Sequence, residues 1–213
     1  MPHIDSYYAA TQAVSCDFEP LTTHIEADVC VVGCGLAGLT TARELLRLGK
    51  FVVLLEGNKV GFGASGRNGG FVSDGYAEDV LNLEKKLGVE HAKALFNISR
   101  EGTKYVRQNI EGFAADGQDP QYHWLGVVRH DVGDKLEKSV EKLTTVYGAD
   151  YAYWSTDQVR QHLKSNRYFQ ALEDRSAFHI HPLNYCVALA KDIQASGGVI
   201  FEDTQARELH KHH

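Results

Sequence analysis

The chain has 213 residues, 43% of them apolar, which is enough for one domain with a buried core or for two small ones. Its net charge of −6, from 22 basic and 28 acidic residues with no basic run, argues against nucleic acid and against anionic membrane surfaces as partners. No apolar stretch reaches membrane-spanning length and Met1-Pro-His-Ile-Asp is not a signal peptide, so a soluble, cytoplasmic protein is expected.

Cys16, Cys30, Cys34 and Cys186 are scattered without a CxxC pair. That spacing fits reduced, structural thiols, and no metal site is assigned. Residues 1–25 read as an arm without periodicity, carrying Ser6-Tyr7-Tyr8-Ala-Ala. The two tyrosines are expected to dock on the body of the protein.

From Ala27 to Glu56 the sequence ADVCVVGCGLAGLTTARELLRLGKFVVLLE reads as strand, glycine turn, helix and strand. Ala27 to Val32 is short and apolar, as a strand buried on both faces should be. Leu36 to Leu48 is an amphipathic helix ended by Gly49, and Phe51 to Leu55 is a second strand. Between them lies Gly33-Cys-Gly35-Leu-Ala-Gly38. Gly33 turns the chain off the strand, Gly35 leaves room for a pyrophosphate, and Gly38 lets the helix lie close on the strand. The helix start at Leu36 and Ala37 offers unpaired N–H groups and a positive dipole end to the phosphates. Glu56, 18 residues past Gly38, can accept from a ribose, which favours FAD or NAD over NADP. The alternative is a glycine turn in an ordinary βαβ unit with no ligand; three spaced glycines and a terminal acid strain that alternative.

Residues 57–70 hold six glycines in fourteen positions, interleaved with Ser65, Arg67 and Asn68. Such a loop can turn backbone N–H groups toward a polar ligand while Arg67 supplies fixed positive charge, so it reads as a second ligand-wrapping loop and not as a linker.

With Gly33-x-Gly35-x-x-Gly38, Glu56 and Val60-Gly-Phe-Gly-Ala-Ser-Gly-Arg-Asn-Gly-Gly70 together, the chain resembles the FAD-dependent amine and D-amino acid oxidase family. The Ser-Tyr-Tyr-Ala-Ala arm and the glycine-arginine run are most similar to those of γ-glutamylputrescine oxidoreductases. The resemblance implies FAD as cofactor and a small-molecule amine as substrate, with oxygen taking the electrons. It implies that Gly33, Gly35, Leu36, Ala37, Gly38 and Glu56 hold the ADP half. Gly63, Ala64, Ser65, Arg67, Asn68, Gly69 and Gly70 then line the path from pyrophosphate to flavin. Cys34 stands where the family commonly has glycine, a small change at a variable position.

Farther on, Glu78 to Leu87 and Val89 to Ile110 have helical spacing, and Asp116 to Pro120 is a loop. Trp124 to Arg129 and Tyr151 to Trp154 are strand candidates, Asp134 to Tyr147 a charged helix, and Thr156 a cap for a short helix to His162. His179 and His181 alternate and are expected on one strand face, with His181 a candidate to face the active site. Pro182 should open a helix to Ser196, and Val199 to Phe201 a last strand. By resemblance, the Thr204-Gln-Ala206 segment meets the adenine, with Ala206 at the contact.

The expected fold is α/β: a Rossmann-like FAD-binding domain, a βαβ unit with a parallel sheet, carrying an inserted α+β substrate domain. The expected division is an arm at 1–25, a discontinuous FAD-binding domain at 26–112 and 180–213, and part of a substrate domain at 113–179. The resemblance covers only the N-terminal part of the family's pattern, so the chain reads as truncated relative to it. A nucleotide-binding remnant and an NAD-dependent dehydrogenase are the other function classes; the glycine-arginine loop speaks against the dehydrogenase. No catalytic residue is assigned.

Overall fold

The computed structural model describes residues 3–112 and 119–211. Most of the expected loop at 116–120 and the last two histidines therefore lie outside the described residues. In chain order the elements are α1 (Tyr7–Ala10), β1 (Val29–Val32), α2 (Leu36–Arg47), β2 (Val52–Leu55), a 3₁₀ turn (Ala64–Gly66), β3 (Phe71–Val72), α3 (Val80–Leu87) and α4 (Val89–Gly112). They continue as β4 (Gln121–Val127), α5 (Lys135–Tyr147), β5 (Tyr151–Trp154), α6 (Thr156–Leu163), β6 (Ala171–His179), α7 (Pro182–Ala195) and β7 (Val199–Phe201).

The chain divides into two compact units. Residues 3–70, 119 and 181–211 belong to the first, and residues 71–112 and 120–180 to the second. The first unit is built on a parallel sheet of order β1-β2-β7. Val52 and Leu54 are fully buried, and a Cβ placed on Gly38 of α2 would touch Val31 Cγ1, so the Val31 side of the sheet faces α2. Ten of the fourteen residues of α7 are buried, far more than an ordinary surface helix shows. It packs along α2, where Arg43 Nε pairs with Asp192 Oδ2 at 2.5 Å.

The arm docks on this unit. Ser6 caps α1, and the Tyr8 and His181 rings meet edge to face at 5.1 Å. The backbone N–H of Ala13 donates to Asn184 Oδ1 at 3.1 Å.

The second unit is a sheet organised on β6, the longest strand, which sequence spacing did not mark beyond its last residues. β6 pairs antiparallel with β3, β4 and β5. A bulge interrupts β4 at His123, whose φ of 70° is left-handed. Ala92, Phe96, Leu143, Tyr147 and Ala149 form a core between α4 and α5, with Tyr151 of β5 packed against it. Glu84 on α3 ties into it, accepting from Tyr147 Oη at 2.6 Å and Lys142 Nζ at 2.8 Å. The insertion expected at 113–179 is narrower than this unit, which also takes in α3 and α4: Ala92 and Phe96 of α4 pack with Leu143 and Tyr147 of α5, and Val80, Leu81 and Leu83 of α3 lie against that cluster.

Two local expectations change. Ser155, one residue before Thr156, caps α6 through a reciprocal box with Gln158. His179 and His181 do not share a strand face: His179 ends β6, while His181 is the N-cap of α7 with Pro182 behind it. A capping role fits because His181 Nδ1 can accept from the Asn184 N–H, at 3.1 Å.

Candidate cofactor site

The site is assembled where β1 runs into α2. Gly33 has φ 97°, a conformation that side chains resist, and its N–H donates to Leu55 O at 2.8 Å. Gly38 is set by close approach: a Cβ there would lie 1.9 Å from Gly33 O. The helix therefore starts hard against the turn, and Gly35 as N-cap offers no side-chain cap to its first N–H groups.

The second loop folds onto that turn. Gly61 N–H donates to Cys34 O at 2.9 Å, and Leu36 N–H donates to Ser65 Oγ at 3.0 Å. A Cβ on Gly35 would sit 2.8 Å from that same hydroxyl. The space before Gly35 is thus used by Ser65, and the missing side chain serves the seating of one loop on the other. Gly66 is equally constrained, since its Cβ would meet Gly61 O at 2.3 Å.

Arg67 and Asn68 brace this loop. Arg67 Nε donates to Gly63 O at 3.2 Å and its guanidinium lies 5.9 Å from the Phe62 ring centre. Asn68 Nδ2 donates to Ser65 O at 2.8 Å and more weakly to Ala64 O at 3.3 Å, while its Oδ1 accepts from Gly70 N–H at 2.8 Å. Both side chains are exposed, as are Gly63, Ala64 and Gly69. A Cβ on Gly63 would meet nothing within 4 Å, so the loop backbone there fronts open space.

Glu56 follows β2 and reaches back under the turn. Its Oε2 accepts from Cys34 N–H at 2.7 Å and its Oε1 from Asn58 N–H at 2.9 Å. A carboxylate has about four acceptor positions, so two remain for hydroxyl donors. The Glu56 backbone pairs with the strand that returns: Glu56 N–H donates to Phe201 O at 2.9 Å, and Thr204 N–H to Glu56 O at 2.8 Å. Ala206 lies two residues beyond Thr204 and is exposed.

The structure thus brings Gly33, Gly35, Leu36, Ala37, Gly38, Glu56 and Ser65 together in one unit. The residues present fit a dinucleotide: the Ala37 and Gly38 N–H groups at the start of α2, glycines where backbones must touch, and a carboxylate with free acceptor capacity; the Leu36 N–H, expected to be unpaired, is instead taken by Ser65 Oγ. His181 is not part of it. With Nδ1 accepting from Asn184 N–H, the neutral tautomer carries its proton on Nε2, 3.1 Å from Thr11 Oγ1. The ring is used in holding the arm. Among the described residues no group of three or more His, Cys, Asp or Glu side chains could hold a metal, and no helix is long and apolar enough to cross a membrane.

Sequence spacing missed Glu202. Only 1% exposed, it accepts from Val60 N–H at 2.7 Å, Lys59 Nζ at 2.9 Å and Phe18 N–H at 3.2 Å. It joins the arm, the second loop and β7. The available signal was an acid closing a wholly apolar strand.

Comparison with known proteins agrees with this geometry. Residues 28–213 match the model of a family described as FAD-dependent oxidoreductase. The Haemophilus influenzae protein OrdL, described as a probable oxidoreductase, is 36% identical over 208 residues, 97% of this chain and 48% of its own length. The Escherichia coli γ-glutamylputrescine oxidoreductase is 36% identical over 201 residues, 94% of this chain and 47% of its own. Among solved structures, an insertion-deleted L-amino acid deaminase from Proteus vulgaris superposes with a TM-score of 0.72 at 18% identity, over 99% of this chain and 52% of that one. Glycine oxidase from Bacillus cereus gives 0.61 at 19% identity, over 88% and 50%. The chain spans about half the length of the curated relatives it matches. The chain belongs to the DAO family of FAD-dependent oxidoreductases.

Proposed function

We propose that this chain is the FAD-holding part of an oxidoreductase that oxidises the C–N bond of a small amine. The observation that carries the reading is the docking of the Ser65 loop onto the Gly33–Gly38 turn, with Glu56 beneath both. The Ala37 and Gly38 N–H groups meet the pyrophosphate, and Glu56 accepts from the adenosine ribose with the capacity its two backbone contacts leave. Ala206, past the strand hydrogen-bonded to Glu56, lies along the adenine. Arg67, Asn68, Gly69 and Gly70 continue toward the flavin; the Asn68 braces keep that backbone in one shape before the cofactor arrives, which lowers the entropic cost of binding. FAD, when bound, supplies the two-electron acceptor that amine oxidation requires.

The unit of residues 71–112 and 120–180 contributes to amine binding. The substrate is of the γ-glutamylputrescine type, by kinship with the E. coli enzyme, and oxygen is the acceptor, in the cytoplasm. Because the chain spans about half of that relative, a second reading stands beside the first: alone, it binds nucleotide with little or no turnover.

Fluorescence titration of FAD against the chain tests the cofactor reading. Saturable quenching that Gly35→Val weakens at least about tenfold is expected, because the new side chain would displace Ser65 and crowd the helix start. Equal binding by the variant would refute the assignment.

A further inference from the structure

The second unit holds a cleft of about 360 Å³ where α4 passes β6. α4 lines it with Arg100, Lys104 and Arg107, and β6 lines it with Arg175. Positions 100, 104 and 107 are spaced by four and three, so they fall on one face of the helix. Two carboxylates, Asp74 and Asp150, also line the cleft, which leaves an excess of two positive charges there. The whole chain carries −6, so this cleft runs against the charge of the molecule.

The four cations are not used alike. Arg100 Nη1 donates to Tyr147 O at the end of α5, at 3.4 Å, and its Nε lies 4.0 Å from Asp74 Oδ2. Arg175 Nε donates to Glu173 Oε2 at 3.1 Å. Lys104 and Arg107 have no carboxylate within ion-pair distance among the described residues. Arg107 is nonetheless held in place. Its Nη2 donates to Ser176 O at 2.7 Å, and its guanidinium stands 5.0 Å from the Tyr122 ring centre and 4.8 Å from that of Phe178. One of its five N–H donors is used in this way. A guanidinium fixed by two rings and a carbonyl loses little freedom when it takes a ligand. Lys104, one turn back, is exposed and brings three donors. Cations one helical turn apart suit a compact dianion. A phosphoryl group accepts from a guanidinium in a fork and meets an ammonium as a point charge. A dicarboxylate would divide its charge between two separated ends.

We propose that this cleft binds the phosphoryl dianion of inorganic phosphate or of a small phosphate monoester, with Arg107 and Lys104 as its direct partners. Arg100 and Arg175 add positive field from the walls, and Asp150 opposes them. The site lies wholly within the second unit and does not rest on the cofactor contacts argued above.

The test is isothermal titration calorimetry on the full chain, with inorganic phosphate and ribose 5-phosphate as probes at a constant ionic strength of about 0.15 M. The expected result is one-to-one binding with a Kd at or below about 1 mM. Lys104→Ala and Arg107→Gln each weaken it about tenfold, as loss of a charge-assisted hydrogen bond should. Asp150→Asn tightens it about twofold or more, because a like charge leaves the cleft. Arg129→Ala, which removes a positive charge from an exposed position of the same unit, leaves it unchanged. Tighter binding of the ester assigns the site to a phosphate monoester, and equal or weaker binding assigns it to free phosphate. If Arg107→Gln fails to fold by circular dichroism, Lys104→Ala decides alone, since that side chain is exposed. No saturable binding of either probe, or binding of succinate in their place, would overturn the proposal. So would phosphate binding that Lys104→Ala leaves intact and added FAD abolishes, which would put the phosphate on the Gly33–Gly38 turn.

Discussion

Replacing Gly38 by alanine places one methyl group where the structure has none to give. The new Cβ would lie 1.9 Å from Gly33 O, 3.1 Å from Gly33 C and 3.3 Å from Val31 Cγ1. The first two are backbone of a turn fixed by the Gly33 φ of 97° and by its bond to Leu55 O. Neither can swing aside as a side-chain tip would. Relief requires the start of α2 to retreat by more than about 1 Å to reach ordinary contact distances. Overpacking of this kind costs about 1–3 kcal/mol. In a chain of this size each kcal/mol lowers Tm by about 2–4 °C, so a fall of about 4–8 °C is expected for a cost near the middle of that range. The same retreat draws the Ala37 and Gly38 N–H groups from the phosphates, so FAD affinity should fall about tenfold as well. Thermal unfolding by circular dichroism reads the first effect and flavin fluorescence the second. Gly57→Ala is the control, because a Cβ there meets nothing within 4 Å and the residue is not among those placed at the cofactor. A Gly38→Ala protein with unchanged Tm and unchanged FAD binding would refute the account of the turn.

Glu202→Ala leaves the Lys59 ammonium, Val60 N–H and Phe18 N–H without their shared acceptor; a loss of about 3 kcal/mol in urea unfolding at pH 7 is expected, and a loss under about 1 kcal/mol would show the buried carboxylate to be dispensable. Burial pushes the Cys186 thiol up from 9.0 to about 12. Its folded pKa is thus above the unfolded one, and the stability it contributes is full below pH 9 and lost as pH rises through about 12. Urea midpoints at pH 8 and pH 10.5 should therefore fall more steeply for the wild-type chain than for Cys186→Ala, by up to about 1.4 kcal/mol per pH unit; equal slopes would remove Cys186 from the explanation. Supplied with FAD and γ-glutamylputrescine, the 213-residue chain alone should release less than one equivalent of hydrogen peroxide per molecule. Many turnovers would show that it carries a complete active site.

The βαβ start was legible because every part of it is local. Strand, glycine turn, helix and acid occupy thirty consecutive residues, and each glycine answers a steric demand within the same stretch. The kinship of the 61–70 loop with that turn was legible too, as composition; its mechanism was not. Nothing in the sequence says that Ser65 Oγ caps Leu36, because that contact spans 29 positions and depends on the close packing of Gly35. Glu202 stayed hidden for the same reason, its partners lying 142 to 184 positions away. β6 was overlooked because Glu173, Asp174 and Arg175 in its middle break an apolar strand pattern. Asp174 is nonetheless buried, its Oδ1 accepting from Ser176 N–H, Ala177 N–H and Ser176 Oγ, and burial raises its pKa. The paired histidines misled in the opposite direction: alternation at i and i+2 looked like a strand face, but Pro182 starts α7 and turns His181 into its cap.

The central position of β6 sets a timetable for synthesis. Among the described residues β3, β4 and β5 each find their partner only on this strand, and the β3 register joins Phe71 to His179. At roughly 5–20 residues per second, the ribosome needs about 5–20 s to go from the first of these strands to the end of the last. Through that interval three nascent strands, carrying Phe71, Tyr122, Trp124 and Tyr153, wait with unpaired edges. The α3–α4 hairpin is the piece of this unit able to form early, since its contacts are local in sequence. Holdase chaperones should therefore engage stalled chains ending before Ala171 more strongly than chains in which His179 has cleared the exit tunnel.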